Sequence, residues 1–305
     1  MSDAEIKELS ERIKALKVEK NAVLLVHNYQ RPEIQDLADY IGDSLGLSID
    51  ATKTDADVIV FCGVDFMAES AKILNPEKVV VHPNQKARCP MAAMVTPQIV
   101  KELKADHPEA SAVAYVNTTA ETKAEVDICC TSANAVKVVK SLAEPEIIFV
   151  PDVNLGLYVK RFIPDKEFYY SDGYCHVHQD ISLEDLKSLK IEYPKAEVLV
   201  HPECIPEVID FADFAFSTEG MVRHARDSKN NEFIIGSEKE LCYRLTKENP
   251  GKTFYQVKTA LCHAMKQITI QDVLNSLKTL TPEIELEADI IKRARSPLER
   301  MIKTT

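Results

Sequence analysis

Apolar, β-branched runs that end in polar residues recur along the chain as AVLLVH from Ala22, AVAYVN from Ala112 and EVLVH from Glu197. A short continuous apolar run reads as a parallel strand covered on both faces. His27, Asn117 and His201 then stand at equivalent strand ends. A second strand is expected after an aspartate in each case: Asp57 leads into VIVFCG, Asp127 into ICCTSAN and Asp213 into FAFSTEG, each flowing into helical sequence. A third is expected at KVVVHP from Lys78, EIIFVP from Glu146 and EFIIGSE from Glu232. Strands alternating with helices predict βαβ units and parallel sheets. The fold class is therefore α/β, with three pseudo-repeated αβα units at 1–95, 96–180 and 181–305. Functional groups should gather beyond the carboxyl ends of the strands.

The units differ at their edges. In the first, Pro32 stands at a first helical position and Ile34, Leu37, Ala38, Ile41 and Leu45 follow at helical spacing, which predicts an extra helix running toward Gly42-Asp43-Ser44. An amphipathic helix is expected over Met1–Lys20, where Ile6, Leu9, Ile13 and Leu16 repeat among charges. A closing helix is expected where Ile290, Ile291, Ala294, Leu298 and Met301 share a face. The charged opening segment does not read as a secretory signal, and no run approaches the roughly 18 apolar residues of a membrane span.

A chain of 305 residues with 45% hydrophobic and 28% charged content can bury a large core. Its net charge of −11, with no basic cluster, argues against a nucleic-acid partner. Eight cysteines without a secretory signal point to a reducing compartment, hence a cytoplasmic protein whose thiols are free, metal-binding or catalytic. Three of them, Cys89, Cys175 and Cys262, fall at intervals of 86 and 87 residues, just past similar runs of elements. One supersecondary unit used three times would deliver a thiol from the same place in each copy. Such a trio is compatible with zinc or with an iron–sulfur cluster. The other five, Cys62, Cys129, Cys130, Cys204 and Cys242, are assigned to packing, with Cys204 set apart by its neighbour Glu203.

Polar strand ends supply further chemistry: His27-Asn28-Tyr29-Gln30, Tyr115-Val116-Asn117 and His201-Pro202-Glu203. Histidine, glutamate and tyrosine exchange protons when a dehydrated cleft shifts their pKa values. Thr131-Ser132-Ala133-Asn134 and Ser217-Thr218-Glu219-Gly220 each join a strand to a helix, so they either cap that helix or bind an anion there. In the first unit the matching place is read as Asp65, which would repel an anion, so Ser44 is the better candidate.

HNYQ at His27–Gln30, GDSL at Gly42–Leu45, GVDFMAE at Gly63–Glu69, CPM from Cys89, YVN at Tyr115–Asn117, TSANA at Thr131–Ala135, G-x-C-x-x-H at Gly173–His178 and HPEC at His201–Cys204 together resemble the quinolinate synthase family, type A. The resemblance runs from about residue 20 to the end, in the family's order. It implies three αβα units around a central [4Fe-4S] cluster held by Cys89, Cys175 and Cys262. It also implies condensation of iminoaspartate with dihydroxyacetone phosphate to quinolinate for NAD biosynthesis, with L-aspartate oxidase or aspartate dehydrogenase as the iminoaspartate source. His27, Ser44, Tyr115, Val116, Asn117, Ser132, His201, Pro202, Glu203 and Thr218 would line the substrate site, with Tyr29 and Glu203 moving protons and His27 and His201 holding the anionic intermediate. Two departures stand out: Glu219 beside an anion site, which is unfavourable unless it points away or pairs with a cation such as Arg223, and His176 next to a cluster cysteine.

Two rival classes fit parts of the pattern. A zinc hydrolase would use Cys175, His178, His201 and Cys204 with Glu203 as base. A non-catalytic anion-binding protein would need the helix starts but not the cysteines.

Overall fold

The three apolar runs are the inner strands of three separate sheets in the computed structural model, which describes residues 1–304. The first sheet comprises β1 (Ala22–His27), β2 (Tyr40–Gly42), β3 (Val58–Cys62) and β4 (Val79–Val81) in the order β2-β1-β3-β4. The second comprises β5 (Ser111–Tyr115), β6 (Ile128–Cys130), β7 (Glu146–Val150) and β8 (Glu167–Tyr170) in the order β6-β5-β7-β8. The third comprises β9 (Glu197–Val200), β10 (Phe214–Ala215), β11 (Glu232–Gly236) and β12 (Thr253–Gln256) in the order β10-β9-β11-β12. All strand pairs are parallel. The α/β class and the threefold repetition thus hold.

The register of the repeat differs from the sequence expectation. VIVFC is the third strand of its unit, equivalent to β7 and β11, and VVV is the fourth. The expected helix over Ile34–Leu45 is only Pro32–Gln35, and Ile41 lies in β2, pairing with β1 through Leu25↔Tyr40 and His27↔Gly42. Ile34, Leu37 and Ala38 match a helical period across a window too short to exclude a turn followed by an edge strand. The edge strands β8 and β12 were missed because their EFYY and TFYQ sequences are half-exposed and lack a continuous apolar run.

A repeated carboxylate brace confirms the true register. Asp39, Asp127 and Asp213 each accept the backbone N–H of the residue fifteen positions earlier, Leu24 at 2.7 Å, Ala112 at 2.8 Å and Val198 at 2.8 Å. Each aspartate also donates its own N–H to that residue's carbonyl. A lysine pairs with each one, Lys17 with Asp39, Lys104 with Asp127 and Lys190 with Asp213. Asp39, not Asp57, is therefore the first-unit counterpart of Asp127 and Asp213.

The opening helix, Asp3–Glu19, starts with a capping box between Ser2 and Glu5 and buries Ile13. It packs on helix Ile270–Thr279, which also rests on β3. Chain that follows the third sheet thus returns to the first: Val81 bridges Glu283, and Ile284 donates to Val80. The closing helix Ala288–Lys303 buries Ala294, Leu298 and Met301 against β6 and helices Asp65–Leu74 and Ala120–Lys123. Residues 270–303 therefore clasp the first and second units, although the sequence placed them in the third. One continuous apolar core contains Leu25, Val113 and Phe233, so the sheets share buried surface. A fully buried phenylalanine such as Phe149 contributes about 2–3 kcal/mol. Among the described residues no helix is long and apolar enough to cross a membrane.

Candidate active site

The carboxyl ends of the three sheets face one cavity. Its walls include His27, Tyr29 and Ser44 from the first unit, Tyr115, Asn117 and Ser132 from the second, and His201, Glu203 and Thr218 from the third. Cys89, Cys175 and Cys262 border the same space, each in the segment that leaves the fourth strand of its unit. Val116 and Pro202 are not in its walls, and Val116 is packed into the core.

The helix-start hydroxyls are free of capping duty. Helix Ser44–Lys53 is capped by Asp43, which accepts from Gly46 N at 2.9 Å, and helix Thr218–Asp227 by Ser217, which accepts from Gly220 N at 3.2 Å. Thr131 and Asn134 bond each other before helix Ala135–Ser141. Ser44, Ser132 and Thr218 sit beside these caps and face the cavity. In the first unit Ser44 is thus the true counterpart, while Asp65 corresponds to Asp152 and Glu238 beyond the third strands. Asn28, in the polar segment after β1, donates to Thr218 Oγ1 at 2.8 Å and accepts from Arg244 Nη1 at 2.6 Å. Arg244 also pairs with Glu219, so the cation that neutralises this carboxylate is Arg244 and not Arg223. Asn117 Oδ1 is buried without a partner, an acceptor waiting for a donor on a ligand.

A chain of hydrogen bonds crosses all three units. Glu203 accepts from Tyr115 Oη, and His178 Nδ1 lies 2.7 Å from its other oxygen. A carboxylate cannot donate, so Nδ1 carries the proton of this bond. Nε2 lies 3.1 Å from Ser237 Oγ, which is 2.7 Å from Tyr29 Oη. Tyr29, Ser237, His178 and Glu203 thus form one connected run, with Tyr115 donating to Glu203 from the far side. His178 was legible in G-x-C-x-x-H, but nothing in the sequence marked Ser237.

Burial sets the charge states. It depresses His27 and His201 to about 3, so both are neutral imidazoles near neutral pH. Burial alone would raise the pKa of Glu203, yet the imidazoles of His201 and His178 and the hydrogen bonds from His178 and Tyr115 hold it below the usual carboxylate range. Because His201 is neutral, those hydrogen bonds carry most of the effect near neutral pH. Burial first, then the Glu203 charge, raises Tyr29 and Tyr115 well above the ordinary tyrosine value.

The cysteines divide into three that line the cavity and five that are packed inside. All eight are free thiols, and the five assigned to packing are buried, Cys204 with its Sγ 3.6 Å from Gly236 O. That placement removes Cys204 from the zinc hydrolase set. Burial pushes Cys89 up to about 12, with the neighbouring Cys262 adding to it, and raises Cys175 through burial, Glu203 and Cys89. A thiol binds a metal as its thiolate, so a bound cation would take the place of these protons. Separately, ligand atoms of half-buried Cys175 and buried His178 and Glu203 lie within 4.8 Å of one another, which makes this trio a place that can hold a metal ion. Half-buried His176 also borders the cavity.

Comparison with known proteins bears on all of this. The chain matches the family described as Quinolinate synthetase A protein over residues 11–303. It is 49% identical to a quinolinate synthase of Aquifex aeolicus over 99% of this chain and 96% of the relative. It is 54% identical to a quinolinate synthase of Geotalea uraniireducens over 97% of each, and 49% identical to quinolinate synthase 2 of Methanosarcina acetivorans over 97% and 96%. Matched over nearly its whole length to that family, the chain belongs to the quinolinate synthetase A family and is an enzyme.

Proposed function

We propose that this enzyme condenses iminoaspartate with dihydroxyacetone phosphate, releasing one phosphate and two waters to give quinolinate for NAD biosynthesis, in the cytoplasm. L-aspartate oxidase or aspartate dehydrogenase would supply the iminoaspartate. The observation that carries the reading is the convergence of Cys89, Cys175 and Cys262, one from each unit, on the cavity that holds Glu203 and Tyr29.

These cysteines would hold a [4Fe-4S] cluster. Three protein ligands leave one iron open, so the bound cluster supplies a Lewis acid that eases loss of hydroxyl as water. The chain's own groups do the rest. Ser44, Ser132 and Thr218 donate to the carboxylates and phosphate, and unpartnered Asn117 Oδ1 takes a substrate N–H or O–H. Neutral His27 and His201 orient the substrate by hydrogen bonding without adding charge. Ionised Glu203 accepts the proton released on condensation, and Tyr29, protonated at rest, gives one up during dehydration and regains it from solvent before the next turnover. The Ser237–His178 link lets protonation at one end be felt at the other.

Anaerobic purification tests the reading. A brown protein with iron and acid-labile sulfide that forms quinolinate from the two substrates is expected, and Cys89→Ser should lose the cluster. A colourless protein with zinc at Cys175, His178 and Glu203, or a cluster protein that forms no quinolinate, would overturn it.

A further inference from the structure

Each of the three cysteines hands its backbone N–H to a carboxylate that stands just past the third strand of its own unit. Cys89 N donates to Asp65 Oδ1 at 3.0 Å, Cys175 N to Asp152 Oδ2 at 3.1 Å and Cys262 N to Glu238 Oε1 at 3.2 Å, across sequence separations of 24, 23 and 24. The same carboxylates grip the turn at their own end: Asp65 Oδ1 also accepts from Phe66 N at 3.0 Å, Asp152 Oδ1 from Leu155 N at 2.8 Å and Glu238 Oε2 from Glu240 N at 2.8 Å. Asp152 and Glu238 are fully buried, and Glu238 keeps a single close cation, Lys266 at 3.0 Å. Asp65 is held by Arg88 at 3.3 Å.

Burying a carboxylate is unfavourable unless it is well bonded. The fold nevertheless does so at Cys175 and Cys262, and in the third unit reaches the same place with a longer side chain. Such a brace fixes the cysteine backbone, and with it the direction of the thiol, without occupying the sulfur. We propose that Asp65, Asp152 and Glu238 are positioning residues that hold the three thiols ready for the cluster and slow its loss once bound. The proposal rests on the reading of Cys89, Cys175 and Cys262 as cluster ligands.

The informative pair is Asp65→Ala and Asp65→Asn. Both backbone N–H groups bond the same oxygen of Asp65, so the amide oxygen of asparagine can replace it while alanine cannot. Asp152→Ala repeats the test at a buried brace, and Asp213→Ala removes a similar carboxylate brace away from the cysteines. Holoprotein is purified anaerobically, and the rate of cluster bleaching by a ferrous chelator is followed alongside the melting temperature. Loss of an outer partner of a metal ligand typically weakens metal binding about 10–100-fold. Bleaching about tenfold faster in Asp65→Ala, near wild type in Asp65→Asn and near wild type in Asp213→Ala is therefore expected. Bleaching of Asp65→Ala within about twofold of wild type, or equal acceleration by Asp213→Ala, would overturn the proposal. If Asp152→Ala does not fold, Asp65, which is partly exposed, still decides the matter. Wild-type protein without iron and sulfide would sink the functional reading instead.

Discussion

Replacing Asp39 by alanine removes one bond of a brace that the chain uses three times. Asp39 Oδ2 accepts the N–H of Leu24, a fully buried residue of β1, at 2.7 Å, and the carboxylate also pairs with Lys17 at 2.7 Å. The charge-assisted bond to a buried N–H is worth about 1.5–3 kcal/mol, and alanine leaves that N–H without its partner. The lysine pair is partly exposed and adds at most about 0.5–1 kcal/mol. Together these predict a loss of about 2–4 kcal/mol, or a fall in Tm on the order of 3–6 °C for a chain of this size. Asp39→Asn, which keeps an acceptor oxygen without the charge, should lose about half as much. The assay is thermal unfolding of the metal-free protein by circular dichroism in low and high salt, with Asp127→Ala and Asp213→Ala as internal replicates. Salt should narrow the lysine contribution and leave the strand bond intact. Asp39→Ala melting within about 1 °C of wild type would refute the reasoning, because a buried strand N–H cannot lose such a bond at no cost.

Glu203→Gln keeps the shape and the cysteines but not the base, so iron content should match wild type while turnover drops about 10²–10⁴-fold; unchanged turnover would end its proton-transfer role. His27 and His201 should make the protein acid-labile. A folded-state pKa pressed from the ordinary 6.5 to about 3 means the unfolded chain takes up protons first, so stability is full above about 6.5 and drains as pH falls toward 3. At pH 5.5 each histidine costs about 1.4 kcal/mol, and denaturant titration of His27→Asn should show that much less acid loss than wild type between pH 7.5 and 5.5. Gly173 has no room for a side chain, since an added Cβ would lie 2.5 Å from Pro151 O. Gly173→Ala should therefore displace the Cys175 segment and lower iron content, and full iron occupancy would show that the segment can shift without consequence.

The inner strands were determined by the sequence alone, because AVLLVH, AVAYVN and EVLVH are buried on both faces and a continuous apolar run has few other stable fates. From them came the α/β class, the threefold repeat and strand-end residues that do share a cavity, such as His27, Asn117 and Glu203. The helix-start hydroxyls Ser132 and Thr218 were legible for a similar reason, since strand-to-helix turns announce themselves in small polar residues. Edge strands were not legible. β2, β8 and β12 exist because a neighbouring strand offers backbone partners, and half-exposed side chains leave little periodic trace of that. The pairing of the repeats is hidden for the same reason, and shows only in the bond of Asp39 to Leu24, which matches that of Asp127 to Ala112. Only tertiary structure could join Tyr29 to Ser237 across 208 residues, choose Arg244 as the partner of Glu219, or fold residues 270–303 back over the first and second units. Local propensity is set by neighbours a few positions away, whereas a hydrogen bond between distant segments depends on where the whole chain has packed.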